Sequence, residues 1–424
     1  MRVLQVNKLY YPWVGGVEKV VQDIAEGLKN RVDMDVLVCQ SKGEGLTEVI
    51  NGVKLHRAAS LGICLSMPVS FKLPFMLKNL SKGRDILHFH MPFPLAVISY
   101  LLVRPEGRVI IWWHSDIVRQ KKCLRLYKPF LMSFLKKVDR IIVATPEAIE
   151  SSVFLKKFRN KCAVIPYAVD LKRFRPNAEI QEKAESIRKK YGPRLVLFVG
   201  RLIYYKGLDY LIKSMQQIDA TLLLIGDGPL RSHLKNLAAD LGIEDKIVFL
   251  QGVSDEELPA YYYACDVFAL PSIARAEAFG IVQLEAMACG KPVINTALPN
   301  GVPHVSVNGQ TGITVAPADT AGLAAAIDEL LTNNDLREEY GRNAFRRVQD
   351  HFSKEQMLER IYQVYKNILR PGHADSTLNA DFKRPLARVS AQQPRKQPPR
   401  ISEVTVYEGQ TRNERRFAVH KDRV

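Results

Sequence analysis

The sequence predicts an α/β protein of two Rossmann-like, doubly wound domains that face each other across a cleft. Three observations predict it. Short runs rich in Val, Ile and Leu alternate with stretches of helical periodicity, the pattern of a parallel sheet with crossover helices. The pattern restarts near residue 195, where a second strand feeds a second glycine-bearing loop. At 424 residues the chain also exceeds the length over which one hydrophobic core keeps growing.

In the front half, residues 2–7 read as a buried strand running into a loop at 8–18 that carries Gly15 and Gly16. Beyond it Val17, Val20, Val21, Ile24, Ala25 and Leu28 recur at helical spacing. Strand, glycine turn and helix is the plan of a nucleotide-binding unit, and the glycine pair lets a ligand approach the backbone closely. An ordinary tight turn explains a Gly-Gly pair equally well. Further strands are expected at 35–39, 53–57, 86–90, 109–113 and 140–144. Ligands of such sheets bind beyond the carboxyl ends of the strands, which is where His114 falls, directly after 109–113.

Residues 119–140 hold eight Lys or Arg and one Asp, interleaved with Leu124, Tyr127, Phe130, Leu131, Phe134 and Leu135. Pro129 predicts a kink or two short helices. Two readings stand side by side. Arg119, Lys121, Lys122, Arg125, Lys128, Lys136 and Lys137 face an anionic membrane surface, or they form the solvated side of a helix whose apolar side is in the core. The apolar stretch 61–77 extends such a surface or packs inside.

In the back half, the strand 195–199 leads to Gly200, Arg201 and Lys206, ahead of a helix registered on Leu208, Leu211, Ile212 and Met215. Two cations five residues apart at such a loop suit a diphosphate, Arg as a planar fork and Lys as a point charge. Strands are expected at 221–225, 246–250, 265–271, 293–296 and 313–315, and helices at 319–332, 335–350 and 353–369. Ser254 is the expected N-cap of a helix opening at Asp255.

The segment 271–292 places Glu277 and Glu285 eight residues apart around Phe279, Gly280 and Ile281. Gly290 and Pro292 signal a helix end, so a short helix is expected over 280–289. Positions eight apart on a helix lie roughly 12 Å apart along its axis. The two acids therefore do not share a metal site or a carboxylate dyad; they touch two ends of a long ligand, or they are a capping acid and a solvated surface acid.

Charge adds a partner. The formal net charge is +17, with 26 Lys and Arg against 14 Asp and Glu in residues 1–170, 24 of each in 171–370, and 11 against 6 in 371–424. A basic front half points to nucleic acid or an anionic membrane. No zinc-finger, RNP-type or recognition-helix pattern accompanies the charge, which argues against nucleic acid. No apolar run reaches the ~18 residues of a membrane span, and the first residues lack the features of a signal peptide. The six cysteines (39, 64, 123, 162, 265 and 289) lack metal-ligand spacing and read as reduced packing thiols in a cytoplasmic protein. No metal and no cofactor is expected. The expected organisation is one Rossmann-like domain at 1–168, a second at 169–350, a helical segment at 351–370 returning to the first domain, and a disordered, basic, Pro-rich tail at 371–424.

Four motifs in order then become specific together: the Gly15-Gly16 loop, GRLIYYKG (200–207), GDGP (226–229) and EAFGIVQLEAMACGKPVI (277–294). With His114 they resemble the retaining glycosyltransferases of family four, which have the GT-B fold, over about residues 1–370. HSDIVRQK (114–121) and ARAEAFGIVQLEAM (274–287) are similar to bacterial mannosyl- and glucosyltransferases of surface-polysaccharide assembly. The resemblance implies a retaining, metal-independent transfer of a hexose, mannose first, from GDP-mannose or a UDP-sugar. The acceptor would be a glycan or lipid-diphosphate-linked chain in polysaccharide or lipopolysaccharide synthesis. It implies that Glu285 holds the ribose and Glu277 the sugar hydroxyls, with the N–H groups of Phe279, Gly280 and Ile281 on sugar or phosphate. Arg201 and Lys206 would neutralise the diphosphate, Gly16 would let the front domain close on the donor, and His114 would meet the sugar from the opposite wall. The basic front half would then dock on the inner face of the cytoplasmic membrane. A nucleotide-sugar epimerase of the same fold and a non-catalytic carbohydrate-binding relative are the alternatives.

Overall fold

The computed structural model describes residues 1–13, 15–65, 67–116 and 121–370, the last stretch without the side chains of 121–123. Arg119 and the side chains of Lys121 and Lys122 thus lie outside the described residues, as does the tail from 371 for which disorder is expected.

The first ten strands are β1 (Arg2–Val6), β2 (Asp33–Cys39), β3 (Leu46–Ile50), β4 (Val53–Ala58), β5 (Ile63–Cys64), β6 (Met67–Pro68), β7 (Ile86–Met91), β8 (Arg108–Trp113), β9 (Arg140–Val143) and β10 (Cys162–Val164). The helices among them are α1 (Gly16–Leu28), α2 (Leu73–Leu80), α3 (Pro94–Val103), α4 (Lys121–Lys137) and α5 (Pro146–Ser151). Eight of the strands form one sheet in the order β10-β9-β8-β7-β1-β2-β4-β3, parallel except for the β3–β4 edge; β5 and β6 form a separate hairpin.

The second sheet is built from β11 (Leu195–Val199), β12 (Thr221–Ile225), β13 (Ile247–Leu250), β14 (Val267–Leu270), β15 (Val293–Thr296) and β16 (Gly312–Val315). Its helices are α6 (Ala178–Tyr191), α7 (Leu208–Ser214), α8 (Arg231–Asp240), α9 (Leu258–Ala264), α10 (Val282–Ala288), α11 (Val302–Val305), α12 (Thr320–Thr332) and α13 (Asn334–His351). The order is β13-β12-β11-β14-β15-β16, all parallel. Counted within this half it is 3-2-1-4-5-6, the order of a doubly wound dinucleotide-binding sheet. Helices cover both faces, so a strand such as β11 is apolar and buried at every position.

A final helix, α14 (Lys354–Leu369), packs on α1 of the first half. Lys354 Nζ donates to Asp23 at 2.7 Å, Arg31 pairs with Glu359 at 2.7 Å, and the Tyr365 hydroxyl lies 2.7 Å from His88 Nδ1.

Three local expectations are corrected. Helix α10 begins at Val282, so Glu277 precedes it and a helical rise does not measure the separation of the two acids. Gly280 makes the turn: its φ of +73° is outside the right-handed helical region, and a Cβ there would lie 2.5 Å from Leu270 Cδ2. Of the kink or two short helices expected at Pro129, the two helices are not formed: one helix, α4, runs through it. Pro129 is on the exposed side, where water can satisfy the carbonyl that loses its partner. Ser254 caps a turn, not the helix itself: its hydroxyl accepts from Glu257 N while Glu257 Oε2 accepts from Ser254 N, and α9 starts at Leu258.

Candidate active site

Both sheets reverse their strand order at an interior point, between β1 and β7 in the first and between β11 and β14 in the second. Loops leaving adjacent strands part there and open a crevice at the carboxyl ends. In the second half this brings the loop after β11, with Arg201 and Lys206, beside the segment after β14, with Ser272 and Glu277. Lys206 Nζ sits 2.5 Å from Glu277 Oε2, and Ser272 Oγ donates to the same oxygen at 2.9 Å. Both Lys206 and Glu277 are buried. Gly207 allows the approach: at φ +68° its missing Cβ would fall 2.1 Å from Pro271 O. The Ile273 N–H donates to Tyr205 O at 2.8 Å, tying the two loops together, and Asn300 Nδ2 donates to the Glu277 carbonyl.

Arg201 is exposed on the same loop. Glu285, on α10, is half-buried and accepts from the Tyr262 hydroxyl at 2.7 Å. Burial raises its carboxyl pKa above the ordinary value, against the opposing pull of Tyr262, Arg173 and Lys19. Lys19 is on α1 of the first half, so the two halves sense each other here.

The halves meet closely at Gly16. A Cβ on it would lie 3.7 Å from Ile281 Cδ1, so the start of α1 faces the residue just before α10. Lys8 and Glu18 flank this entrance. Burial lowers the Lys8 pKa and raises that of Glu18, each moderated by the other's charge. Further along the cleft, Asp116 accepts from Trp113 Nε1 and Ser152 Oγ, both at 2.8 Å. Burial raises its carboxyl, and Arg275 of the second half partly offsets this.

His114 is buried, and both its ring nitrogens are engaged within the protein. Nε2 lies 3.0 Å from His90 Nδ1 and Nδ1 lies 2.6 Å from the Tyr167 hydroxyl. The cause is strand periodicity. Side chains at i and i+2 share a face, so His88 and His90 of β7 align with Trp112 and His114 at the end of β8, and His90 is registered on Trp112. Their rings stack (His90–His114 5.3 Å, Trp112–His114 5.6 Å), and Tyr167 stacks on His114 at 5.7 Å. Tyr167 in turn meets Phe279 edge-on at 5.0 Å. Among the described residues no cluster of three or more His, Cys, Asp or Glu is placed to hold a metal ion.

The family described as Glycosyltransferase Family 4 matches residues 14–173, and Glycosyl transferases group 1 matches residues 179–347. O-antigen chain mannosyltransferase C of Escherichia coli is 30% identical over 374 residues, spanning 87% of this chain and 99% of that protein. This chain belongs to the family 4 glycosyltransferases. D-rhamnosyltransferase WbpZ of Pseudomonas aeruginosa is 34% identical over 361 residues, 83% of this chain and 92% of that one. Among solved structures, Anabaena HepE in complex with UDP matches with a TM-score of 0.71 at 19% identity, over 86% of this chain and 100% of that chain, and shares its fold.

In this glycosyltransferase, then, the fold gathers Gly15, Gly16, Arg201, Lys206, Glu277, Phe279, Gly280, Ile281 and Glu285 around the crevice, with His114 in the wall of the first half. It leaves the basic segment elsewhere. Arg125, Lys128, Lys136 and Lys137 are exposed on α4, whose Leu131, Phe134 and Leu135 are core residues. The apolar stripe of α4 is thus in the core, while Leu126 and Phe130 stay exposed (79% and 51%) on the basic side. Helix α2 packs on α3 and α3 on α4, and Phe71, Phe75 and Leu102 are exposed with them. Ser272, Asn300, Tyr262, His90 and Tyr167 join the site through contacts that the sequence does not predict. His90 alone had a signal: His-x-His in one strand beside Trp-x-His in another.

Proposed function

We propose that this glycosyltransferase moves a hexose, mannose first, from a nucleoside-diphosphate sugar to a glycan or lipid-linked acceptor, with retention at the anomeric carbon and no metal ion. The observation that carries the reading is the buried Lys206–Glu277 pair at the strand-order reversal of the second sheet, with exposed Arg201 on the same loop. Arg201 and Lys206 take up the charge that develops on the diphosphate as the bond from C1 to the phosphate oxygen breaks. Glu277 orients sugar hydroxyls. With one oxygen already held by Lys206 and Ser272, it is poorly disposed to attack C1. The acceptor hydroxyl therefore adds to C1 from the face the phosphate leaves, and its proton passes to the leaving phosphate oxygen. Glu285, held by Tyr262, accepts from the ribose hydroxyls.

Mannose is supported by the mannosyltransferase relative, matched over nearly its full length. The rhamnosyltransferase relative makes a 6-deoxyhexose the second reading. GDP is the nucleotide we favour, UDP the next. A lipid-linked acceptor accords with the exposed apolar and basic side of α2–α4, which we take as the docking face for an anionic membrane.

Arg201 gives the cleaner test, since its side chain is exposed and its loss leaves no buried charge behind. Arg201→Ala should lower kcat on the order of 10²-fold, the scale of losing one group that stabilises developing charge, with the melting temperature unchanged. Full turnover in that variant overturns the leaving-group assignment. A thermal-shift panel of GDP, UDP, GDP-mannose and UDP-glucose reads the donor, because a bound ligand raises stability in proportion to ln(1 + [L]/Kd).

A further inference from the structure

We propose that His90 and Tyr167 are positioning residues for sugar recognition: His90 fixes the tautomer of His114, and the Tyr167 hydroxyl holds the place a donor-sugar hydroxyl takes. This rests on the reading that His114 meets the sugar.

The tautomers follow from the partners. Gln5 Nε2 donates to Met34 Sδ at 2.9 Å, an orientation that leaves Gln5 Oε1 as acceptor for His90 Nε2–H at 2.8 Å. His90 Nδ1 then carries no proton and accepts from His114 Nε2–H at 3.0 Å. His114 Nδ1 is left as an acceptor, and the Tyr167 O–H donates to it at 2.6 Å. Each donor has one acceptor along the whole run. Burial lowers the pKa of His90 and of His114 well below the usual imidazole range, so neither competes by taking up a second proton.

The consequence is a polarity. His114 can offer a ligand only an acceptor nitrogen, Nδ1, because its N–H is committed to a strand in the core of the first half. A sugar hydroxyl reaches Nδ1 by replacing one O–H donor with another, at the cost of rehousing the buried Tyr167 hydroxyl. Placement makes the exchange sensitive to the cleft. Tyr167 lies on the segment joining the two sheets, and its ring abuts Phe279, two residues from Glu277. Movement of the donor loop and release of His114 Nδ1 therefore share one ring.

The test compares the affinity of GDP-mannose, or UDP-glucose if that is the better ligand, with that of the matching nucleoside diphosphate, alongside kcat, on the full chain. Tyr167→Phe keeps the ring and removes the placeholder. It should tighten nucleotide-sugar binding about threefold and leave the diphosphate unchanged, the scale of part of one hydrogen bond. His90→Leu should weaken sugar-dependent binding and lower kcat about tenfold, whereas His90→Asn, whose Oδ1 can accept in place of Nδ1, should recover most of both. Equal behaviour of His90→Asn and His90→Leu, or a Tyr167→Phe variant that binds the nucleotide sugar no better, overturns the proposal. His114→Ala separates the layers. If it leaves sugar-dependent affinity intact, the reading of His114 itself fails; if it weakens that affinity while His90→Leu and Tyr167→Phe behave as wild type, only the present inference fails.

Discussion

Glu277 and Lys206 show how one pair of residues can serve stability and chemistry together. Each satisfies the other in a buried site, so removing one strands a charge. Lys206→Ala should cost about 3–5 kcal/mol of unfolding free energy in addition to activity, measurable by denaturant titration. Glu285 has the opposite sign. Burial raises its pKa, so above the ordinary Glu value of 4.5 the folded state holds more proton than the unfolded chain and stability falls as pH rises. Glu285→Gln should therefore raise the melting temperature of the ligand-free enzyme at pH 7. The gain should vanish when the comparison is repeated below the unfolded Glu pKa, while ribose recognition is lost. The placement of Arg201, Lys206, Glu277 and His114 beyond strand ends is legible in the sequence because each follows a recognisable strand. The Lys206–Glu277 contact was not: it needs β11 beside β14, strands separated in the chain by two others. Nor was the engagement of His114, since a strand pattern shows which face a ring is on and not what lies across from it.

At the level of elements, the strands were read well where both faces are buried. Leu195–Val199 and Thr221–Ile225 form strands with the bounds the sequence predicts, since an unbroken apolar run has only one way to be satisfied. The edge strand β3, LTEVI, is not predicted by the sequence because its largely exposed residues resemble loop. Helix α4 was seen as amphipathic, but two apolar side chains lie outside its core stripe. Leu126 and Phe130 on that exposed side give the docking proposal its sharpest test. The double variant Leu126→Glu, Phe130→Glu should abolish flotation with vesicles containing anionic lipid, and raising salt should weaken the wild type. Unchanged flotation of the double variant sinks the membrane face, and turnover with a water-soluble acceptor should stay intact in either case.

For the molecule as a whole, the doubly wound class was legible from alternation and length, and the strand order was not. What binds the two halves is set by contacts between residues hundreds of positions apart. The Asp23–Lys354 bond is an example. Burial alone would lower the Lys354 pKa, but Asp23 and then Asp170 raise it overall. Its stabilisation is therefore present at neutral pH and lost as pH climbs through the folded value. Lys354→Met should lower the melting temperature at pH 7, with the deficit shrinking in strongly alkaline buffer.

The return of α14 onto α1 bears on how members of such a family can be recombined. Asp23, Arg31 and His88 of the first half each hold a residue of the last helix. A hybrid made by one crossover near residue 168 would pair a foreign first half with a mismatched last helix. The transplantable module is discontinuous: the front half together with residues 353–370, joined by two crossovers, so that each front half keeps its own closing helix.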